Sequence, residues 1–308
     1  MSGFYYKQNR LKQLRAFCYA ARTGSISKAA EQLFLSQPSV SLLIQALEGE
    51  LRSQLFERQG PKIRLTKPGS ILLDMALPLL ESLDSLPDAF HERCYNLVTG
   101  SLSLAAGEST TLYLLPDVVK RYMERHPQVH LKLSNVPGKQ GLALVRAGEV
   151  DFAVGPILEI PDDIYYLPLV SFEPILITPL DHPLCQMEKV TLDDIGPYGL
   201  IMPPPSMSTR NIIDVVFQQH DFKYKVLMEA GGWEVIKKYV ETGVGIAIVT
   251  SICLTGKEKI SRISLADYFP ARSYGIILRR GKFISPAARR FIEIMAPDAL
   301  HEWPRMQV

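Results

Sequence analysis

Residues 24–65, GSISKAAEQLFLSQPSVSLLIQALEGELRSQLFERQGPKIRL, constrain this chain more than any other stretch, because they read as a tight two-helix corner followed by a short basic hairpin. Ser27 is placed to cap a short helix whose Ala29, Ala30 and Leu33 share one side. Phe34 and Leu35 then reverse the chain into Ser36, a second cap. Pro38 costs little in the first turn that follows, since amides there have no intrahelical acceptor to lose. Val40, Leu43, Ile44, Leu47 and Leu51 recur at helical spacing and are expected to face inward. That leaves Gln37, Ser39, Ser41, Leu42 and Gln45 outside, near the end that enters a major groove in helix-turn-helix motifs. Gln and Ser there are suited to base edges or phosphates.

Beyond the corner, Phe56, Glu57 and Arg58, a turn at Gln59, Gly60 and Pro61, and then Lys62 to Leu65 alternate like a hairpin. Arg58, Lys62 and Arg64 lie near its tip, which makes it a wing suited to gripping phosphate. An ordinary helical corner is the bland alternative, and charge weighs against it. Residues 1–65 hold ten Lys/Arg against four Glu, a net of +6, whereas the whole chain is +2 and the remainder therefore −4. Basicity confined to one end is the footprint of a nucleic-acid-binding head on a body that does not bind nucleic acid. Double-stranded DNA is thus the first partner to consider.

The pattern LRAF, then GSxSxAAxxLxxSQPSVSxxIxxLExELxxxLFER, then RLTxxG is met by residues 14–17, 24–58 and 64–69. On these residues the chain resembles the LysR-type transcriptional regulators. The resemblance implies a winged helix-turn-helix, a long linker helix that pairs two subunits, and a two-lobed effector domain like the periplasmic solute-binding proteins. It also implies a homodimer or homotetramer, a small-molecule effector, and leaves room for RNA polymerase as a partner. One departure stands out: relatives usually carry basic or polar residues just after SQPSVS, whereas this chain has Leu42, Leu43, Gln45 and Ala46. Leu42 is equally suited to a thymine methyl or to packing against protein.

A length of 308 residues exceeds one ordinary domain. The expected layout is a winged helix-turn-helix over 1–65, a linker and dimerisation helix over 66–98, and an effector domain over 99–308. In the linker, Ile71, Leu72, Met75, Leu79, Leu83 and Leu86 repeat at threes and fours, a stripe that asks for a partner helix. Packing onto its own body is the alternative. Pro78 and Pro87 fall inside and are expected to kink or interrupt the helix.

From residue 100 on, strands and helices alternate, which predicts a parallel sheet and an α/β class for the body beneath an all-α winged head. Strands are expected at 101–106, 129–134 and 151–155, with helices at 110–125 and 139–147 between them. A second set follows: strands at 174–178, 199–202, 223–229 and 245–250, helices at 209–220 and 233–242. The last strand, 274–278, and the helix 286–295 resemble the segment with which the family returns to its first lobe. Lobe I is then about 99–162 with 268–300, lobe II about 163–267, and the lobes are joined near Asp162 and Tyr268.

Ligands of open α/β sheets gather where strands end and the following helices begin. Two such places stand out: Gly107, Glu108, Ser109 and Thr110, and the loop PPPSMST with Pro204, Ser206, Ser208 and Thr209. Both offer hydroxyls and amides to a small anion, although Ser109 and Ser208 would equally serve as caps of their own helices. The resemblance favours the pocket, because matching residues line it in relatives. Trp233 is either a wall of that pocket or core. Glu108 would repel an anion unless it turns away or meets an amino group. The stretches GGWEVIKKYVETGVGIAIV and YFPARSYGIILRRGKFISPAARRFIEIMAPD look most like the branch containing the cysteine-biosynthesis regulator, which points to a small anion or sulfur-related metabolite.

Other classes find less support. There is no P-loop, HExxH or GxSxG, and the glycines at 243 and 245 follow a helix, so an enzyme is not indicated and no cofactor is called for. A solute-binding protein would share the body but have no use for a basic head. Cys18, Cys94, Cys185 and Cys253 form no CxxC pair and are expected as buried, reduced thiols. His126 and His130 have ligand-like spacing, but Pro127 breaks the helix that would align them, so no metal site is read. No apolar run approaches the ~20 residues of a membrane helix and no signal peptide is visible, which predicts a cytoplasmic protein.

Overall fold

A computed structural model describes residues 10–59, 62–95 and 97–297. They form two compact units, one reaching to Leu97 and including Gly281–Pro286, the other comprising the remainder from Val98. The first unit opens with α1 (Arg10–Thr23), α2 (Ile26–Gln32) and α3 (Gln37–Leu51), followed by β1 (Phe56–Gln59) and β2 (Lys62–Leu65). Ala16, Phe17, Ala29, Val40, Ile44 and Leu47 are buried together, with the Phe17 and Phe56 rings 5.3 Å apart. Leu43 is half-buried against this core, but Leu51, expected inside, is exposed at the helix end.

Ser27 does not cap the second helix. Ser25 does, in extended conformation and accepting from the Lys28 amide, so the helix starts one residue before Ser27. The helix closes with Leu35 N–H donating to Ala30 C=O while Phe34 takes a left-handed φ of 55°, a place glycine usually fills. Ser36 caps α3 as expected, accepting from the Ser39 amide, with Pro38 in the first turn. The strands pair Phe56 with Leu65 and Glu57 with Arg64, giving the hairpin its antiparallel register. The turn expected at Gly60 and Pro61, and the side chains of Arg58 and Gln59, lie outside the described residues.

Thr66 caps α4 (Lys67–Asp84) through the Gly69 amide and ties it to the hairpin base by donating to Gln54 C=O. Gly69 is required there, since a Cβ would stand 2.1 Å from the Leu55 carbonyl oxygen. The helix runs through Pro78 without a break. The interruption comes at Ser85, whose amide and hydroxyl both return to Glu81 C=O, and Pro87 falls in the first turn of α5 (Leu86–Tyr95). Ala76, Leu77 and Leu80 are buried, while Ile71, Met75, Leu79, Leu83 and Leu86 are exposed. Leu72 departs from the expected stripe: it packs on the head core.

In the second unit, β3 (Gly100–Ala106) leads to a π-helical turn at Thr110–Leu114 and then α6 (Leu115–Arg125), β4 (Val129–Asn135), α7 (Gly138–Arg146), β5 (Phe152–Pro156) and β6 (Ile164–Phe172). The second lobe contains β7 (Pro174–Pro179), α8 (Leu192–Ile195), β8 (Gly199–Met202), α9 (Ser208–Gln219), β9 (Lys225–Glu229), α10 (Trp233–Glu241), β10 (Ala247–Thr250) and β11 (Ile260–Ser264). The chain returns in β12 (Arg272–Arg279) and ends its described course with α11 (Pro286–Met295).

The first sheet has the order β4-β3-β5-β12-β6; β3 is parallel to β4 and β5, as strand-helix-strand connections require. The expectation of a wholly parallel sheet fails at β12, which runs antiparallel to both β5 and β6. Because β6 pairs with β12, residues 164–172 stay in the first sheet and the crossing expected near Asp162 falls after Phe172. In the second lobe β7 is antiparallel to β10 and β11, while β8 and β9 are parallel and joined to the stretch before β10 by a bridge between Leu200 and Ile246. Successive residues bury opposite faces there: Leu176 and Leu200 pack with Phe217, Ile177 and Ile201 with Trp233 and Ile236.

Candidate functional site

On the head, Gln37, Leu42 and Gln45 are exposed along α3, and Ser39 and Ser41 are half-buried. Leu42 keeps 65% of its surface accessible, so within the described residues it is not packing material. The Ser39 hydroxyl lies 2.7 Å from that of Ser36, which holds both at the helix start. Ser41 and Gln45 line a hollow between α3 and the hairpin, together with Ile44, Phe56 and Ile63. Its wall is set by Glu48, whose carboxylate accepts from the Leu55 amide at 2.7 Å and so fixes where the hairpin leaves the helix. Lys62 and Arg64 are exposed on β2, on the opposite side of the strand from the half-buried Ile63 and Leu65. Ser27 is exposed at the foot of α2, whose cap is Ser25.

In the second unit, the two loops singled out by sequence converge on one strand. Arg272, the first residue of β12, donates from Nη1 to Thr209 Oγ1 at 2.8 Å and from Nη2 to Ser208 Oγ at 2.9 Å, both in the first turn of α9. Two residues on and on the same side of the strand, the Tyr274 hydroxyl stands 3.5 Å from Ser109 Oγ, at the long limit of a hydrogen bond. Neither serine caps its helix: α9 has Met207 at its cap without a side-chain bond, and Ser109 is already helical and likewise bonds no amide. Thr110 is fully buried, and its hydroxyl, like that of Thr111, meets no hydrogen-bond partner among the described residues. Pro204 is half-buried and Ser206 exposed in the loop before α9; Gly107 is half-buried at the end of β3.

Glu108 turns away from these hydroxyls. Its Oε1 accepts from the Trp233 amide at 3.2 Å, so a first-lobe carboxylate closes the positive end of a second-lobe helix. Gly232 permits this approach with a φ of 90°, and a Cβ there would stand 3.3 Å from the same carboxylate oxygen. The Trp233 side chain is core, 2% exposed, rather than a wall. Alongside, Tyr113 donates to Glu234, and its ring lies 5.1 Å beneath the Lys237 ammonium. Burial and the bond to Glu234 push the Tyr113 phenol well up.

Lys237 is almost wholly enclosed and bonds Cys253 C=O at 2.7 Å, Glu258 at 2.8 Å and Glu234 at 2.8 Å. Burial alone would raise the Glu258 carboxyl, but Lys237 and the Thr255 backbone outweigh it and hold Glu258 far below the usual carboxylate range. Arg272 and Tyr274 were missed in the sequence because the last strand was expected to begin at Tyr274; the alternation of Arg272, Tyr274 and Ile276 was the available signal. Of the thiols, Cys18 and Cys253 are buried, Cys185 is half-buried and Cys94 exposed, so the expectation of four buried thiols holds for two, is met in part at Cys185 and fails at Cys94. Burial pushes the Cys253 thiol up. Among the described residues no group of His, Cys, Asp and Glu is placed to hold a metal ion, and no helix is long and apolar enough to cross a membrane.

Residues 11–70 match the bacterial regulatory helix-turn-helix protein, lysR family, and residues 96–299 match the LysR substrate binding domain. The chain is similar to a probable RuBisCO transcriptional regulator of Cyanophora paradoxa, 32% identical over 298 residues that cover 92% of this chain and 90% of the relative. It is also similar to the HTH-type transcriptional regulator CysB of Burkholderia cenocepacia, at 28% identity and 93% coverage of each. Among solved structures, a full-length OxyR variant from Pseudomonas aeruginosa superposes with a TM-score of 0.70 at 21% identity, covering 94% of each chain.

Proposed function

Since the chain belongs to the LysR family of helix-turn-helix transcriptional regulators, we propose that it binds double-stranded DNA through α3 and the hairpin and is controlled by a small molecule held between its two lobes. Gln37, Ser39, Ser41, Leu42 and Gln45 read the duplex, and Arg58, Lys62 and Arg64 grip its phosphates. The effector is a small anion or a sulfur-related metabolite, bound by Ser109, Thr110, Ser208 and Thr209. Similarity to CysB supports the sulfur reading, although the RuBisCO regulators are as similar. The head spans residues 1–65, the linker 66–98 and the effector domain the rest.

The observation that carries the reading is the convergence of the two helix starts, 109–110 and 208–209, on neighbouring side chains of β12. A ligand there touches both lobes and shifts their arrangement only through different affinity for two states. The exposed stripe of Ile71, Met75, Leu79 and Leu83 supports pairing into a homodimer, or a homotetramer built from two such pairs. The protein then acts in the cytoplasm, beside RNA polymerase, as a regulator rather than an enzyme.

The test is Ser109→Ala together with Thr209→Ala in the full chain, with DNA binding followed by fluorescence anisotropy, with and without the small-molecule fraction of a cell extract. Each bond from a hydroxyl to a charged ligand contributes about 1.5–3 kcal/mol, so losing two weakens the response by more than about a hundredfold. DNA affinity without the extract stays near that of the parent. A folded double variant that responds like the parent refutes this assignment of the pocket.

A further inference from the structure

Arg272 is 7% exposed, and its guanidinium meets two hydroxyls and no carboxylate among the described residues. The ionisable groups that face it are Tyr274, Cys253 and Tyr166, all neutral at neutral pH, and burial pushes the first two further from ionising. Two other enclosed cations of this unit are matched by acids: Arg210 by Asp214 and Glu229, Lys237 by Glu258 and Glu234. Glu108, the first-lobe carboxylate of the same cleft, is committed to the Trp233 amide. A buried positive charge without a counter-charge is costly unless something compensates it. The first turn of α9 adds more positive potential at the same place, since its cap residue contributes no side-chain acceptor.

We propose that Arg272 is the charge anchor of the cleft and that the ligand it takes carries an oxyanion head, a carboxylate, sulfate or phosphate. This deepens the effector reading above and rests on it. Ser208 and Thr209 use their oxygen lone pairs on Arg272, so each hydroxyl proton is free to be donated onward. The guanidinium has five N–H groups, of which these bonds use two. A head with several acceptor oxygens satisfies such a set; a halide offers one centre, and a neutral molecule leaves the charge unbalanced. The hydroxyls of Thr110 and Thr111, without a partner among the described residues, lie on the turn that carries Ser109.

The full-length protein is titrated with sodium sulfate, sodium phosphate and sodium acetate against sodium chloride at matched ionic strength, and melting temperature and calorimetric heat are read. Sulfate and phosphate also stabilise proteins by exclusion from their surface, an effect that rises without saturating. The expected result is a saturable rise with at least one of the three oxyanions, lost or weakened at least tenfold in Arg272→Met. Without any oxyanion, R272M melts no lower than the parent, because the unbalanced charge is gone. Arg272→Lys keeps the charge but not the fork that spans Ser208 and Thr209, and shows a weaker saturable rise.

If no oxyanion saturates, or if R272M melts well below the parent or does not fold, Arg272 is a structural tie and the proposal is overturned. A saturable rise of parental size in R272M overturns it equally. Anisotropy on DNA, run in parallel, keeps the two readings apart: DNA binding without oxyanion binding removes the anchor and leaves the regulator, while oxyanion binding without DNA binding does the reverse.

Discussion

Lys62→Ala isolates the phosphate-gripping role of the hairpin. Lys62 is exposed on β2 and its register partner is Gln59, a residue type that carries no charge. Arg64 stands opposite Glu57 in the strand register, where unlike charges attract across the pair. Each phosphate contact steepens the fall of log K with log salt by about 0.9. With two heads on one duplex, Lys62→Ala should flatten the slope by about 1.8, so a fourfold rise in salt narrows the deficit of the variant by about twelvefold. Arg64→Ala should flatten it by distinctly less. Anisotropy across a salt series, on a preferred site and on random duplex, reads both quantities. A deficit that stays constant with salt, or one that reorders the preferred sequences, would refute the assignment of Lys62 to phosphate.

Ile71→Gln with Leu79→Gln should dissociate the pair in light scattering while the head keeps its helical circular dichroism; an unchanged mass would place the seam elsewhere. Leu72→Gln, which faces the head, should instead lower stability. Glu258→Gln removes one acid from the enclosed Lys237 but leaves Cys253 C=O and Glu234, so the cost falls near the lower end for a broken buried pair, about 3 kcal/mol. For a unit of this size that is about 6–12 °C in melting temperature. Because the Glu258 carboxyl is held below its ordinary value of 4.5, its contribution is full above about that pH and is lost as pH falls through the folded-state value. Parent and variant should therefore converge in strong acid, and a gap that widens there would contradict the pairing.

The head was legible almost residue by residue, because its geometry follows from local rules: cap, turn, apolar spacing and alternation. Of its two slips, Leu51 lies exposed where the helix ends, and Ser27 for Ser25 came from two serines with equal claims to a cap, decided by which backbone is extended. Pro78 misled in the other direction, since a proline in a helix forfeits one bond but tertiary packing of Ala76, Leu77 and Leu80 holds the helix through it. Non-local pairings were not legible. Glu108 and Trp233 are 125 residues apart, and neither neighbourhood announces the other. Strand β6 lacked a clean apolar alternation, with Ile164 buried, Tyr165 to Leu167 all half-buried and Pro168 exposed, and it passed as a connection. Arg272 hid because a charged residue at a strand start looks like loop.

The order of the first sheet also sets a timetable for synthesis. Strand β12 lies between β5 and β6, yet it leaves the ribosome about 116 residues after β5 ends. At about 5–20 residues per second, the gap in that sheet stays open for about 6–23 s. The first 65 residues and the strands and helices of the second lobe are translated before the first lobe receives its fifth strand. During that interval β5 and β6 each present an unfilled edge, so a nascent chain stalled before Arg272 carries the whole helix-turn-helix and hairpin but an effector unit that lacks both its last sheet strand and its buried guanidinium.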